Sequence, residues 1–300
     1  MIGPGFADWQ WFLRIVERSS LSAAARDLGQ TPAALSLALK RLETQLGARL
    51  FQRSTRRLTL TPEGEIWYRS AQAAQDALTS GLDELAGQRG ELSGPLRLSM
   101  PSDFGRQFVL DWVEEFVAGH PAVVPMLTLS DRVDDLVAES LDIALRYGPM
   151  REAGLIAVPL VAGNCRVAVA SPDYWARHGL PQTPQQLAGH ACLAFALRDA
   201  VHVSWRFQRG DDVVALSLRP SRYAADGAVV SDWARRGCGV AYKSRLDVAR
   251  DLATGRLVAA LPDWRGEAAP LFLVRSGGRL LSPRVRAFWD FCLDKAAALQ

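Results

Sequence analysis

Apolar side chains recur at helical spacing through the first part of the chain. The longer stripe steps by three or four residues and consists of Leu35, Leu39, Leu42 and Leu46. A shorter stripe before it consists of Leu21, Ala24, Ala25 and Leu28. Between the stripes, Gly29, Thr31 and Pro32 are typical of a helix C-cap, an N-cap and a first helical position. The pattern predicts two short helices around a tight turn, a helix-turn-helix whose second helix can enter a major groove. A further helix is predicted before it, over residues 8–18.

A basic segment with a short β-like run on each side follows the second helix. The runs cover residues 49–52 and 58–60, and the segment between them is Arg53, Ser54, Thr55, Arg56 and Arg57. A basic loop between two strands is a wing, suited to contact phosphates or to enter the minor groove. The alternative is an ordinary small helical domain with a solvated run of charges. The order helix, turn, helix, basic wing favours DNA binding.

The predicted DNA interface divides into phosphate contacts and base contacts. Lys40 and the three wing arginines would supply affinity by contacting phosphates. The recognition-helix residues Ala33, Ser36 and Leu37 would read base edges. The remaining candidates for this interface are Ser22, Thr31, Pro32, Ser54 and Thr55.

Charge is distributed unevenly along the chain, although the net charge is only +3. Nine basic and four acidic residues precede Thr61, and acidic residues predominate from there to Leu92. A basic head on a near-neutral body is typical of a DNA-binding domain attached to a second domain.

A long helix is predicted from Pro62 to about Gln88, with Thr61 as its N-cap. Residues at alternating spacings of four and three form a heptad seam: Trp67, Ala71, Ala74, Leu78, Gly81 and Leu85. The seam favours pairing with a second copy, which would present two recognition helices to two half-sites. The alternative is a helix packed on its own body. We expect a homodimer, and a tetramer built as a dimer of dimers.

Beyond a polar break at residues 89–95, short strand-like and helix-like segments alternate. They include strands at 96–100, 126–129, 143–146, 167–170, 192–196, 240–242 and 271–274, a hairpin at 203–218, and helices near 108–117, 134–139, 174–177, 228–235 and 284–298. Such alternation predicts an α/β domain with largely parallel sheets, whose ligands sit beyond the carboxyl ends of the strands. Two similar halves would leave a cleft between them.

The candidate ligand-binding residues follow these strands. Ser102 precedes a helix, where its hydroxyl and nearby amides could hold a carboxylate or another anion, although a simple helix cap uses the same geometry. Ser130 occupies the equivalent loop after the next strand, and Arg146 and Tyr147 end the third. The other candidates are Phe104 on the near side and Phe195 and Asp226 on the far side.

Catalytic and metal-binding patterns do not emerge from the sequence. It has no nucleophile elbow, no GxGxxG after a strand and no phosphate-binding loop of the GxxxxGK type. The four cysteines and four histidines are scattered, which favours free thiols and predicts no metal or cofactor. We therefore expect a binding protein and not an enzyme.

The segment from Phe12 to Gly64 closely resembles the winged helix-turn-helix of LysR-type transcriptional regulators. The resemblance rests on Phe12, Val16, the run from Ser20 to Ala25, Leu28, the run from Pro32 to Ser36, Leu42-Glu43, Leu46-Gly47, Leu50-Phe51, Arg53 and the run from Leu60 to Gly64. Leu37 and Pro32 depart from the family pattern, where a polar or basic residue and a glutamine are usual. The resemblance implies the same docking on DNA, with a base preference of its own.

The body also resembles this family, through SMPSDFGR, LDIALRYG, VAVASPDYWARHGLP and VRAFWDF. The resemblance implies a bilobal, periplasmic-binding-protein-like effector domain over residues 92–300. Lobe I would cover 92–161 and 266–300, and lobe II 162–265. Residues 1–61 would form the DNA-binding domain and 62–91 the linker and dimerisation helix. The loops that carry the candidate ligand-binding residues would line the effector pocket.

The expected protein is a sequence-specific regulator of double-stranded DNA. A small-molecule effector, of anionic class, would shift the population between two arrangements of the lobes. No secretory signal and no bilayer-spanning run is evident, which predicts a cytoplasmic protein without a membrane partner. The rival class is a solute-binding or enzymatic α/β protein with an accessory head. A regulator with a vestigial pocket is a third alternative.

Overall fold

The computed structural model describes residues 5–53, 58–87, 91–130, 141–148, 154–197, 200–277 and 281–299. The chain forms two compact units, Met1–Leu82 and Asp83–Gln300. We call the first unit the head and the second the body, and each is described by itself.

The head contains four helices and a short hairpin among its described residues. They are α1 (Phe6–Arg18), α2 (Leu21–Asp27), α3 (Pro32–Leu46), β1 (Phe51–Arg53), β2 (Leu58–Leu60) and α4 (Pro62–Gly87). The Ser20 hydroxyl accepts a hydrogen bond from the Ala23 amide at 3.3 Å, and the Thr31 hydroxyl accepts one from the Ala34 amide at 3.2 Å. These N-caps fix where α2 and α3 begin. The predicted helix-turn-helix is confirmed.

The core of the head is formed by the apolar stripes that the sequence predicts. Ala24 and Ala25 of α2 pack with Leu35, Leu39 and Leu42 of α3, and all five are buried. Each helix is short, so its stability comes from this shared apolar face more than from its own hydrogen bonds.

The beginning of α4 packs against the rest of the head. Ala71 is buried in the core of the head, and Trp67 lies against it with its ring edge-on to Trp9. Gly64 allows this approach, because a Cβ there would lie 2.0 Å from the Leu50 carbonyl oxygen. Leu78, further along the predicted seam, is 51% exposed. The first part of the seam therefore packs within the head, whereas Leu78 and Gly81, further along, are exposed.

Lobe I of the body is a five-stranded sheet covered by helices. Its elements are β3 (Gly94–Met100), α5 (Ser102–Phe104), a π-helical turn (Gly105–Val109), α6 (Leu110–Gly119), β4 (Val123–Leu129), β5 (Ile143–Tyr147), β6 (Leu155–Val161), β16 (Leu271–Ser276) and α10 (Pro283–Ala297). The strand order is β4-β3-β5-β16-β6. The helix predicted near 134–139 lies outside the described residues.

Lobe II is built on a six-stranded sheet with a three-stranded sheet beside it. Its elements are β7 (Arg166–Ala170), α7 (Pro172–His178), a 3₁₀ helix (Pro184–Gly189), β8 (Cys192–Leu197), β9 (Ala200–Val201), β10 (Ser204–Arg209), β11 (Asp212–Ser217), β12 (Pro220–Ala224), α8 (Gly227–Arg235), β13 (Val240–Ser244), a 3₁₀ turn (Leu246–Val248), α9 (Ala249–Ala253), β14 (Val258–Ala259) and β15 (Arg265–Gly266). The orders are β12-β8-β13-β7-β14, with β9 beside β8, and β11-β10-β15.

The expectation of largely parallel sheets is wrong. β3 is parallel to β4 and β5, and β8 is parallel to β12 and β13. However, β16 runs antiparallel to β5 and β6, and β7 runs antiparallel to β13 and β14. Parallel neighbours require a crossover connection within one sheet. β7 and β16 instead enter directly from the other lobe, so they run in the opposite direction.

Two segments carry the chain between the lobes, at residues 162–165 and 267–270. They lie side by side, since Cys165 and Ala268 form an antiparallel bridge. The Asn164 side-chain amide ties them together by donating to the Ala269 carbonyl at 2.6 Å and to the Ser244 hydroxyl at 2.8 Å. The two lobes therefore share a double connection along one edge of the cleft.

None of the described helices is long and apolar enough to cross a membrane.

Candidate functional site

The outer face of α3 is open and chemically mixed. Ala33, Leu37 and Lys40 lie on one face at spacings of four and three, and all three are exposed. Leu37 is 61% exposed, which is unusual for a leucine on a short helix whose other leucines form a core. This face therefore exposes the methyl group of Ala33, the isobutyl group of Leu37 and the ammonium of Lys40.

The other predicted DNA contacts surround this face or lie outside the described residues. Ser22, Thr31 and Pro32 are exposed, and Ser36 is half-buried. β1 and β2, the two predicted strands of the wing, pair antiparallel, with Arg53 opposite Leu58. Residues Ser54, Thr55, Arg56 and Arg57 and the Arg53 side chain lie outside what the structure describes, so their contacts stay predictions.

A cavity of about 280 Å³ lies between the two lobes of the body. This volume is close to the lower end of the range for pockets that bind small molecules. Four of the predicted effector residues line it: Ser130, Arg146, Tyr147 and Phe195. Lobe II and the connecting segments supply Arg166, His202, Gly227, Lys243, Asp247, Glu267, Ala268 and Ala269, and lobe I adds Pro101 and Gly148.

The other three predicted residues have different positions. The Ser102 hydroxyl donates to Asp226 Oδ1 at 2.5 Å, so these two residues meet across the lobes. Asp226 also caps α8 by accepting from the Ala228 amide at 2.8 Å. Phe104 is fully buried against Trp112 and Phe108 in the core of lobe I, so its ring does not reach the cavity in this conformation.

Several charged residues that were not predicted from the sequence line the cavity. Lys243 is 4% exposed although it lies in the otherwise apolar strand β13, and its ammonium lies 2.6 Å from Asp103 and 3.4 Å from Asp247. The position of Lys243 next to apolar strand residues is the sequence signal that could have identified it. A lysine that is buried at such a position is almost always paired, so it marks a polar site. Asp103 and Asp247 carried no comparable signal, since isolated carboxylates usually lie in loops.

An aromatic wall with a charged rim forms the lobe II side. The His202 ring stacks on Phe195 with centroids 5.0 Å apart, and the Arg166 guanidinium lies 4.9 Å from the Phe195 centroid on the same ring. Glu267 lies 3.4 Å from His202 Nε2 and 3.6 Å from Arg166 Nε. The hydrogen bond from His202, aided by the Arg166 charge, lowers the pKa of the Glu267 carboxyl. This carboxylate is therefore ionised near neutral pH.

Lobe I supplies two polar side chains to the cavity. The Arg146 guanidinium donates to the Ser99 hydroxyl at 2.6 Å and to the Leu145 carbonyl at 2.9 Å, which holds it in place. The Tyr147 hydroxyl donates to Asp247 Oδ1 at 2.7 Å. Burial, together with the Asp247 charge, raises the pKa of Tyr147 well above its ordinary value, so this hydroxyl keeps its proton.

Metal-binding geometry is absent from the part of the chain that the structure describes, where no group of three or more His, Cys, Asp or Glu could hold an ion. Cys165, Cys192, Cys238 and Cys292 are all free thiols. Burial raises the pKa of Cys192 to about 11. The cavity can bind a ligand through its charged side chains and its aromatic face.

Two family models match nearly the whole chain. One, described as a bacterial regulatory helix-turn-helix protein of the lysR family, matches residues 6–65. The other, described as a LysR substrate binding domain, matches residues 89–297. The first therefore covers α1 to the start of α4, and the second covers both lobes and the cavity.

Similar proteins match over their full lengths. The probable HTH-type transcriptional regulator LtrA of Klebsiella pneumoniae is 32% identical over 97% of this chain and 95% of its own. The HTH-type transcriptional regulator DmlR of Escherichia coli K12 is 33% identical over 96% of this chain and 93% of its own. Among solved structures, CrgA of Neisseria meningitidis, described as a LysR-type transcriptional regulator, superposes with a TM-score of 0.63 at 28% identity, covering 97% of this chain and 98% of that one.

Proposed function

Because the chain belongs to the LysR family of DNA-binding transcriptional regulators, we propose that its effector is a small molecule with an anionic group, bound in the cavity between the lobes. The family assignment already makes it a regulator with an effector-binding domain and not an enzyme. We also propose how copies of the protein associate and how it reads DNA.

The charges around the cavity support an anionic effector. Three basic side chains line it, Arg146, Arg166 and Lys243, against two carboxylates, Asp247 and Glu267. Arg166 lies over the Phe195 ring, where it can offer its guanidinium edge to a ligand that stacks on the same wall. This combination fits an effector with a carboxylate, or another anion, next to a flat apolar part.

The exposed face of α3 supports direct readout of a major groove. Lys40 would contact a phosphate, while Ala33 and Leu37 would offer apolar groups to base edges. A dimer through the open part of α4, around Leu78, would present two such helices to two half-sites. Pairing between bodies would then join two such dimers into a tetramer. A protein that acts on promoter DNA would work in the cytoplasm.

Binding to the DNA upstream of its own gene, measured as a function of salt, tests the DNA side of this proposal. We expect tight, salt-steep binding that protects two spaced half-sites, with the oligomer size recorded by light scattering in parallel. Binding to that DNA no tighter than to random DNA of equal length, with and without candidate effectors, would contradict it.

A thermal-shift panel tests the effector side. Each small carboxylic acid is compared with its own primary amide, which keeps shape and removes charge. We expect stabilisation by some acids and none by the matching amides, and loss of the response in Arg166→Gln but not in Arg209→Gln, a matched change of an exposed arginine. Equal responses to acids and amides would contradict an anionic effector.

A further inference from the structure

A buried ion pair joins the two lobes at the floor of the cavity. Lys243, at the end of β13 in lobe II, places its ammonium 2.6 Å from the Asp103 carboxylate, which follows β3 in lobe I. The two side chains are 4% and 5% exposed. Lys243 also lines the cavity, so this buried cation is both a tie between the lobes and part of the binding surface.

Lobe II supplies the groups that surround this pair. Asp247 Oδ2 lies 3.4 Å from the Lys243 ammonium, and the Gly227 carbonyl accepts from the same ammonium at 3.3 Å. The Ser231 hydroxyl donates to Asp103 Oδ2 at 3.1 Å. The Asp103 carboxylate of lobe I is therefore bound by lobe II in the way that a carboxylate ligand would be, with one cation and one hydroxyl donor.

Neighbouring residues of the same segment also contact lobe II. Arg106 lies 3.7 Å from Asp226, and the Gln107 side-chain carbonyl accepts from the Arg250 amide at 3.4 Å. Gln107 also donates to the Asp247 carbonyl. The π-helical turn at Gly105–Val109 widens the helix here, and such turns are frequent at functional sites. Residues 102–107 thus hold lobe II through several polar contacts, and the Asp103–Lys243 ion pair is among the buried ones.

We infer that the Asp103 carboxylate is a built-in ligand of Lys243, and that the anionic group of the effector binds Lys243 by displacing it. The inference deepens the proposed anionic effector and rests on it. In the exchange one carboxylate leaves the ammonium and another takes its place, so the buried charge stays balanced and no proton has to move. Binding of the effector to Lys243 and release of the Asp103 carboxylate of lobe I are then the same step.

This exchange explains how binding would become a change in the lobes. Loss of a close partner from a buried charge is strongly destabilising, so Lys243 exchanges Asp103 only for another anion, while Asp247 stays 3.4 Å away. A neutral analogue would not replace the Asp103 carboxylate and is therefore rejected. An anion binds better to the arrangement in which Asp103 has withdrawn, and this difference in affinity is what shifts the population.

Chemical rescue of a full-length Asp103→Ala variant by acetate tests the inference. Removal of the built-in carboxylate takes away the nearer of the two carboxylates that approach the Lys243 ammonium, leaving Asp247 at 3.4 Å, and should lower the melting temperature of the body by roughly 10 °C. Acetate should recover most of that loss with saturable dependence, while sodium chloride at equal ionic strength should not. Wild-type protein should need at least about tenfold more acetate for a comparable response, because acetate must compete with Asp103.

Two variants serve as controls. Asp103→Ala combined with Lys243→Met removes the ammonium that acetate would bind, so the acetate response should disappear. Asp212→Ala removes an exposed carboxylate that pairs with Arg209 and should give no acetate response. An acetate response of Asp103→Ala that matches the response to chloride, or that persists in the double variant, would overturn the inference.

If Asp103→Ala does not fold without added anion, the same titration is followed as refolding yield, with acetate-dependent recovery expected and chloride-equal recovery contradicting the inference. The rescue does not depend on DNA or on the natural effector. Failure of the rescue alongside a positive acid-over-amide panel would refute the exchange alone. Failure of that panel would refute the anionic effector itself.

Discussion

Tyr147 and Asp247, 100 residues apart in the chain, join the two lobes through a hydrogen bond of 2.7 Å from the tyrosine hydroxyl to the carboxylate. Asp247 also approaches the Lys243 ammonium, so the bond connects lobe I to the buried charge network of lobe II. The tyrosine thereby both lines the cavity and fixes one of its carboxylates.

Replacement of Tyr147 by Phe should destabilise the body by about 1.5–3 kcal/mol, because a hydrogen bond to a buried charged group is lost while the ring remains. Urea unfolding of the full-length protein, followed by a probe in the body, measures this. Tyr223→Phe is the matched control, since Tyr223 is 62% exposed. Equal unfolding free energies for the two variants would contradict a stabilising role for the Tyr147–Asp247 bond.

Replacement of Leu37 by Ala should weaken specific DNA binding by about tenfold and leave non-specific binding unchanged. An exposed isobutyl group on the recognition helix can contact a thymine methyl, and good base contacts contribute about 1–3 kcal/mol of discrimination. Anisotropy titrations on operator and random duplexes separate the two effects. A parallel loss on both duplexes would place Leu37 in the fold of the head and not in base readout.

Replacement of Lys40 by Gln should reduce the salt dependence of DNA binding. Each phosphate that a cation neutralises contributes about 0.9 to the slope of log K against log salt concentration. For a dimer with two equivalent contacts we therefore expect the slope to fall by about 1.8. Arg209→Gln, in the body, is the control and should leave the slope unchanged. A change in sequence preference at constant slope would assign Lys40 to the bases.

The partly buried carboxyl of Asp142 should make the body less stable as the pH rises. Burial raises its pKa from 3.8 to about 6, although it accepts a hydrogen bond from the Arg97 amide at 2.8 Å. The folded state therefore binds this proton more tightly than the unfolded chain does. The stabilisation is present below pH 3.8 and is lost as the pH rises through 6, with a total on the order of 3 kcal/mol.

Asp142→Asn keeps an acceptor for the Arg97 amide and removes the titration. The variant should be more stable than the wild type at pH 7, and the difference should vanish near pH 4. Thermal unfolding at both pH values measures it, with Asp212→Asn, an exposed carboxylate, as the control. A wild-type advantage at pH 7 would mean that the ionised form is the one the fold stabilises.

Replacement of Leu78 by Glu should weaken the proposed dimer. Leu78 is 51% exposed on the part of α4 that does not pack within the head, and a charge in a heptad seam opposes pairing. Sedimentation velocity at several concentrations should show more monomer, while Gln75→Glu, an exposed change nearby on the same helix, should not. Identical association of the two variants would exclude this seam as the interface.

Local signals in the sequence were enough to predict the head. Caps such as Ser20 and Thr31 act on amides three residues away, and the leucine stripe of α3 repeats within one helix. These effects operate over a few residues, so a pattern reveals them directly. The strand β6 and the directions of β7 and β16 were missed, because strand direction depends on where a connection crosses between lobes.

The cavity likewise combines features that the sequence predicts with features that only the tertiary structure determines. Ser130, Arg146 and Tyr147 were predicted to line it because each follows or ends a strand, which is where α/β folds bind ligands, and Phe195 was predicted for the opposite lip. The Asp103–Lys243 pair was not predicted, since its residues lie 140 positions apart and neither shows its partner in the local pattern. The sequence by itself determined the helices, the caps and the edge at which a ligand could bind. Only the tertiary structure decided which charges meet there, because an ion pair forms when the folded chain brings distant residues within a few ångströms in a site closed to water.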